Sequence, residues 1–399
     1  MLLIILLFYT INVNTRKEKP WRILGERCRR RCLICYNCCQ ILLKTFLSNE
    51  FPVKLLNITG VKSLALNTRA KSHQEVKSLK KIKIFTTGGT IVSTGEQGAT
   101  PTLSGKDLIA CIPGINDIAD IVIEDFSKVP STEMTPDLML QLARKVEKSL
   151  QDDSFDGVVI THGTDTMEET AYLHELVIDN KKPIVFTGAM RPASALSADG
   201  PANLLNAIIV ASEPKSMGYP PLIVLNEEIH IARFATKYHT SALESFTSME
   251  CGPAGVVKEN NVFYFYEVPR KSVCQPENIK ANVEIIKVSA GSSDLLLKAA
   301  IQNGCEGIVI EGTGAGHVPS AWTKSIRKAI QAGVIIIVVS RSPGGYTLKN
   351  TYGMPGGEIH LRELGVIFGH SNAPKTRLFL SLAISAGWNK GRIEEFYKY

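Results

Sequence analysis

Residues 81–90 read Lys81-Ile82-Lys83-Ile84-Phe85-Thr86-Thr87-Gly88-Gly89-Thr90. The apolar run places a β-strand at 83–85, and the hydroxyl- and glycine-rich stretch behind it reads as a turn. Gly88 and Gly89 let the backbone turn sharply and approach a ligand closely. The same arrangement recurs twice. Val158–Ile160 is followed by Thr161-His162-Gly163-Thr164-Asp165-Thr166, and Ile184–Phe186 by Thr187-Gly188-Ala189-Met190-Arg191-Pro192. Strands made of continuous β-branched residues and separated by helices imply a parallel sheet covered on both faces. In such sheets ligands bind outside the carboxyl ends of the strands. Three strand ends therefore bring hydroxyls, glycines and a carboxylate to one edge.

Outward from this core, further strands are expected at Ile121–Ile123 and Leu222–Leu225, and helices at 105–112, 135–151, 167–179 and 202–212. The helix at 135–151 sets Leu138, Leu140, Leu142 and Val146 near one stripe, with Lys145 and Glu147 outside it. Val256-Val257-Lys258-Glu259-Asn260-Asn261-Val262-Phe263 reads as a hairpin, followed by a polar link. A second α/β set starts near 283: a strand to about 290, a helix at 293–303, a strand at 307–312, a helix at 320–332 and a strand at 334–340. The fold class is thus α/β: a larger doubly wound parallel-sheet domain at 82–268, a linker at 269–282 and a smaller α/β domain at 283–399.

The 399 residues fit two domains and a tail at roughly 100–200 residues each. Hydrophobic residues at 44% and charged residues at 21% describe a globular chain and exclude global disorder. Charge is segregated. Residues 1–81 hold 16 Lys and Arg against 4 Asp and Glu, whereas the rest holds 29 against 34, so the net +7 says little about the body. The same segment carries Cys28, Cys32, Cys35, Cys38 and Cys39. It is expected to be a poorly ordered basic extension; a signal or anchor at residues 2–9, a thiolate metal knuckle, and contact with nucleic acid or membrane are the alternatives. Scattered cysteines in the body favour a reducing, cytoplasmic setting, with a periplasmic or secreted form as the alternative.

A threonine hydroxyl is a weak nucleophile until a neighbouring base takes its proton. Asp165 supplies negative charge, and Lys237, in Thr236-Lys237-Tyr238-His239-Thr240, is a candidate base. Thr166 with Glu169 has the spacing of a capping box, which would start a helix behind Asp165 and aim free N–H groups at the site. His162 is read as a support of its turn. Competing chemistries fail on spacing: there is no G-x-x-x-x-G-K-[ST] loop, no G-x-S-x-G elbow and no H-E-x-x-H, and the glycines at 312, 314 and 316 lack dinucleotide-binding spacing.

At Thr86–Ile91, Ile160–Tyr172, Thr187–Pro192, Ser197–Ala207 and Ala235–Thr240 the chain resembles the bacterial-type L-asparaginase family, and the likeness runs from about 82 to 399. The resemblance implies hydrolysis of L-asparagine to L-aspartate and ammonia through a threonine acyl-enzyme, with weaker glutaminase activity. It implies no metal or organic cofactor, and a homotetramer whose sites are completed across dimer interfaces. Carried over by residue, Thr90 resembles the nucleophile and Thr164, Lys237 and Asp165 the proton-transfer triad. Ser131, beside Thr132, resembles the holder of the substrate carboxylate, Asp165 also the anchor of its ammonium, and Glu358 an acid donated across the dimer. Thr102 stands where the family often has a tyrosine, and Gly291 where it has an asparagine. An ammonia-supplying amidotransferase subunit and a non-catalytic amino-acid-binding protein are the alternative readings.

Overall fold

The computed structural model describes residues 79–95, 100–101, 104–271 and 275–398. The expectations for the basic segment and its five cysteines, together with Thr102 and Cys274, lie outside the described residues. The larger sheet has eight strands: β1 (Lys80–Thr86), β2 (Ala119–Asp125), β3 (Gly157–Thr161), β4 (Ile184–Thr187), β5 (Leu222–Leu225), β6 (Glu228–Ile231), β7 (Gly255–Lys258) and β8 (Asn261–Tyr264). Their order is β8-β7-β6-β5-β4-β3-β1-β2. Strands β2, β1, β3, β4 and β5 are mutually parallel. Strands β6, β7 and β8 continue antiparallel, the last two as the expected hairpin, so the sheet is mixed but mostly parallel. The reversal is local: Asn226 and Glu227 both take positive φ, which folds β5 back onto β6 as a tight hairpin.

The central parallel strands are buried at every position, and successive residues face opposite sides of the sheet. Phe85, Val158, Ile160, Ile184 and Phe186 face one apolar cluster; Ile82, Ile84, Val159, Val185 and Val224 face another. The first is covered by α2 (Pro136–Gln151) and α3 (Met167–Val177), the second by α4 (Gly200–Ser212) and the shorter α1 (Gly105–Ala110). Helix α2 starts on a Thr135 cap and buries Met139, Leu140, Leu142, Ala143, Val146 and Leu150, while Leu138 sits at the edge of that face.

The second sheet is parallel throughout, in the order β9 (Val283–Lys287), β10 (Gly307–Gly312), β11 (Ile335–Ser340), β12 (Ile367–Phe368). Helices α5 (Leu295–Gln302), α6 (Thr323–Gln331) and α7 (Glu358–Glu363) precede α8 (Ala373–Ser385) and α9 (Lys390–Phe396). Val309, Ile337, Leu378, Phe379 and Leu382 belong to the same apolar cluster as α2 and α3, so the two sheets share one core through α8. No helix among the described residues is long and apolar enough to cross a membrane.

Candidate active site

The chain passes from β1 to β2 on one side and then to β3 on the other. The carboxyl ends of β1 and β3 therefore flank the point where strand order reverses, the crevice where open α/β sheets bind ligands. Register puts Thr86 opposite both Asp125 and Thr161, and Thr161 opposite Thr187, so the three loops begin level.

These loops are fastened to one another by main chain. Thr87 N–H and its hydroxyl both donate to the Thr161 carbonyl, at 3.1 and 3.0 Å, and His162 N–H donates to the Thr187 carbonyl at 2.8 Å. Gly89, at φ +85°, lies so close to the β3 loop that an added Cβ would sit 2.6 Å from the Gly163 Cα. A Cβ on Gly163 would in turn stand 2.8 Å from the Ser131 Cβ and Oγ. The glycines that lead into Thr90 and Thr164 are thereby in contact, with Ser131 against the Gly163 turn.

The hydroxyls divide by what they already do. Thr86 donates to Asp125 Oδ1 at 2.6 Å, Thr187 to the Val224 carbonyl at 2.8 Å, and Thr166 to the Ser131 carbonyl at 2.6 Å. Thr164, almost wholly buried, accepts from Lys237 Nζ at 2.9 Å, and the same nitrogen meets Asp165 Oδ1 at 2.5 Å. Asp165 stands at the mouth, 63% exposed, while Lys237 is 12% exposed. Thr90 is half-buried at the start of a single 3₁₀ turn, and its hydroxyl has no hydrogen-bond partner among the described residues. Immediately beyond it, Ser93–Thr94 pairs antiparallel with Thr100–Pro101.

One expectation needs correction. The capping box does not form: Thr166 is the residue before α3, but its hydroxyl is drawn to the Ser131 carbonyl. Glu169 is instead half-buried beside Glu168, and that partial burial together with the neighbouring charge pushes its carboxyl up to about 7. Glu358 does not project from the surface. It is fully buried, its Oε1 accepting from the Thr351 and Tyr352 N–H groups at 2.6 Å each and its Oε2 facing His317 Nε2 at 3.1 Å. Within its own chain this carboxylate anchors the loop at 351–352. Thr132 is exposed beside the buried Ser131. Gly291 takes a left-handed φ of +74° in the loop after β9.

His162 is fully buried, with Nδ1 2.7 Å from the Gly163 carbonyl and Nε2 2.9 Å from Thr170 Oγ1, as its structural reading requires. Burial lowers its pKa to about 4, and that of His174, which meets the Thr170 carbonyl, to about 3. A cavity of about 420 Å³ lies behind the Lys237 segment, walled by Arg233, Thr236, Asn372 and Lys375; it excludes Thr90 and Thr164.

Sequence reasoning passed over Asp199 and Asn203. The Asp199 carboxylate accepts from the Met190 and Arg191 N–H groups, and the Asn203 amide donates to the Gly188 carbonyl at 3.0 Å, so together they shape the loop after β4. The Ser-Ala-Asp-Gly start of α4 was the available signal.

Comparison with known proteins agrees with this geometry. The family profile "Asparaginase, N-terminal" matches residues 81–270, and "Glutaminase/Asparaginase C-terminal domain" matches residues 282–397. The chain is 34% identical over 340 residues to L-asparaginase 2 of Bacillus subtilis, covering 82% of this chain and 88% of that protein. It is 33% identical over 332 residues to L-asparaginase 2 of Escherichia coli, covering 80% and 93%. To the glutaminase-asparaginase of Pseudomonas aeruginosa it is 37% identical over 295 residues, covering 71% and 81%. With both halves matched and the β1 and β3 loops joined at one crevice, the chain belongs to the asparaginase/glutaminase family.

Proposed function

We propose that this protein hydrolyses the side-chain amide of L-asparagine, with slower action on L-glutamine. The observation that supports this reading is the contact of the β1 and β3 loops at Gly89 and Gly163, one leading into the uncommitted Thr90 and the other into the Lys237–Thr164–Asp165 chain. In the first step the Thr90 oxygen attacks the amide carbon and gives its proton to the Thr164–Lys237 side. The carbon–nitrogen bond then breaks, and the nitrogen leaves as ammonia with a returned proton. Water adds to the resulting ester, its proton passes by the same route, and aspartate departs as Thr90 regains its hydroxyl. Asp165 holds Lys237 through Oδ1, which leaves Oδ2 for the substrate ammonium, and Ser131 with Thr132 takes the α-carboxylate. The Thr164 N–H has no partner among the described residues and serves the oxyanion; such a donor is worth about 3–4 kcal/mol.

The oligomer is read as a homotetramer with sites completed by a neighbouring copy. Exposed Tyr346, Leu348, Tyr352 and Met354, all after β11, support an apolar contact face. The free thiols of Cys111, Cys251 and Cys305 support a cytoplasmic setting. The test is ammonia release from asparagine and from glutamine by purified protein, with mass spectrometry of enzyme quenched during turnover. An aspartyl ester on the peptide containing Thr90, and no turnover by a folded Thr90→Ala variant, is the expected result. Near-normal turnover by that variant would overturn the nucleophile assignment, and no turnover of either amide by wild-type protein would overturn the reaction.

A further inference from the structure

Lys237 has to be delivered to Thr164 from a distance. Strand β6 runs away from the crevice, with Ile231 paired to Leu222 at the start of β5. The segment from Arg233 to Lys237 returns along α3. Arg233 is ion-paired with Glu175 near the C-terminal end of that helix, while Lys237 meets Asp165 just ahead of its first turn. Only Thr236 and Lys237 gain sheet-type pairing, with Phe246–Thr247.

The second domain supplies what holds this return path. Asn372 caps α8 by accepting from the Lys375 N–H at 3.1 Å. The Asn372 amide donates to Glu168 Oε2 at 3.1 Å and to Thr236 Oγ1 at 3.3 Å. Lys375 is 1% exposed. Its ammonium donates to the Ala235 carbonyl and, at 3.4 Å, to the Arg233 carbonyl, and pairs with Glu168 Oε2 at 3.4 Å. Its three donors are thus spent on two chain segments: the one that carries Lys237, and the first turn of α3, directly behind Thr164 and Asp165.

We propose that Lys375 and Asn372 are positioning residues for the reaction, one buried ammonium and one amide from the C-terminal domain fixing Lys237 against Thr164 and Asp165. This rests on the asparaginase reading for its kinetic consequence but not for its geometric one. Freed of these anchors, the 233–237 strand gains room to shift by the order of an ångström, a displacement that costs catalysis on the order of 100-fold.

The experiment compares full-length wild type, Lys375→Met and Asn372→Ser. Serine keeps the helix cap but cannot reach Thr236 and Glu168. Asparagine turnover is measured against pH, and in parallel an amine-reactive reagent is scored by mass spectrometry for its rate of labelling at Lys237. Expected for both variants are a fall in kcat of roughly 10- to 100-fold, KM within about threefold, a displaced pH–rate limb, and Lys237 labelled several-fold faster. Asn372→Ser retains the wild-type melting temperature within a few degrees. Unchanged kcat and unchanged labelling in the folded serine variant would overturn the proposal. So would losses that scale only with the unfolded fraction. Should wild type turn over neither amide, faster Lys237 labelling still supports the positioning and unchanged labelling still refutes it.

Discussion

Replacing Gly89 by alanine tests whether the two loops are held as rigidly as the contact geometry requires. The new Cβ would stand 2.6 Å from both the Cα and the N of Gly163 and 3.1 Å from the His162 carbonyl carbon. Ordinary carbon–carbon contact is about 3.5–4.0 Å, so roughly 1 Å must be found. Every atom in the way is main chain, and no rotamer change relieves it. The β3 side is pinned by the His162–Thr187 hydrogen bond and by Ser131 behind Gly163, which leaves the Thr90 turn to move. An ångström of displacement at a reacting group costs on the order of 100-fold in rate. The backbone at φ +85° and ψ −178° is a region open essentially to glycine, adding on the order of 1–3 kcal/mol of destabilisation. Gly218→Ala is the control: φ there is +86° but nothing lies within 4 Å, so left-handed strain enters without the collision. The assay is kcat for ammonia release beside thermal melting of both variants. The expected pattern is a two-decade loss in kcat for Gly89→Ala and wild-type kcat for a modestly destabilised Gly218→Ala. A folded Gly89→Ala within threefold of wild-type kcat would refute the argument, and equal losses in both variants would show that kcat merely follows stability.

Acid should weaken the fold before the surface carboxylates titrate. Buried His162 and His174 bind protons more readily unfolded than folded, so the stability they contribute is complete above pH 6.5 and drains as pH falls toward about 4 and about 3, at about 1.4 kcal/mol per unit for each. Glu169, raised to about 7, works in the opposite sense between 7 and 4.5 and offsets one histidine. Urea unfolding between pH 7 and 4.5 should show the net loss, and Glu169→Gln should steepen it; a flat profile, or no change with the glutamine, would contradict the assignment. Glu358→Ala should cost stability, on the order of 2–4 kcal/mol, because the Thr351 and Tyr352 N–H groups lose their acceptor. A large fall in kcat at unchanged melting temperature would instead place Glu358 in the site.

The parallel strands and their loops were legible because the cause is local. Val158–Ile160 and Ile184–Phe186 are unbroken apolar runs, and the threonine–glycine turns behind them have no other ready use. The antiparallel half was less so: the reversal at Asn226-Glu227 puts two non-glycine residues at positive φ without the Asn-Gly signature of such turns. The capping-box spacing at Thr166 and Glu169 was sound, but a carbonyl 35 positions earlier in the chain competed for the hydroxyl and won. Glu358 has the same lesson. Its spacing from Gly365 says nothing of the Thr351 and Tyr352 N–H groups that its Oε1 accepts from, because those contacts depend on how the loop folds back onto the helix start. Lys375 was invisible for a related reason: Ser-Asn-Ala-Pro-Lys reads as an ordinary helix start, and its partners lie about 140 residues away.

That last contact bears on why a two-domain chain carries a one-crevice site. Thr164 and Asp165 are placed by β3, whose backbone is locked on both sides by ladder hydrogen bonds. Lys237 has no comparable support, since the chain to it leaves β6 at the far edge and only its last two residues pair with another strand. Fixing the backbone of one residue costs about 1–2 kcal/mol, so holding the five residues from Arg233 to Lys237 in one path costs several kcal/mol. The segment's own contacts are Arg233 with Glu175 and the Pro269 carbonyl, the Phe234 and Ala235 N–H groups on the Ile231 carbonyl, Lys237 with Asp165, and a two-residue bridge. The Lys375 ammonium and the Asn372 amide add anchors from outside the segment, and both arrive on α8. Helix α8 is itself held because Leu378, Phe379 and Leu382 belong to the core that α2 and α3 also line. Burial of those side chains in the shared core therefore helps to fix where Lys237 sits, so that on the proposed reading the C-terminal domain is needed to hold Lys237 against Thr164 and Asp165 even without substrate contacts of its own.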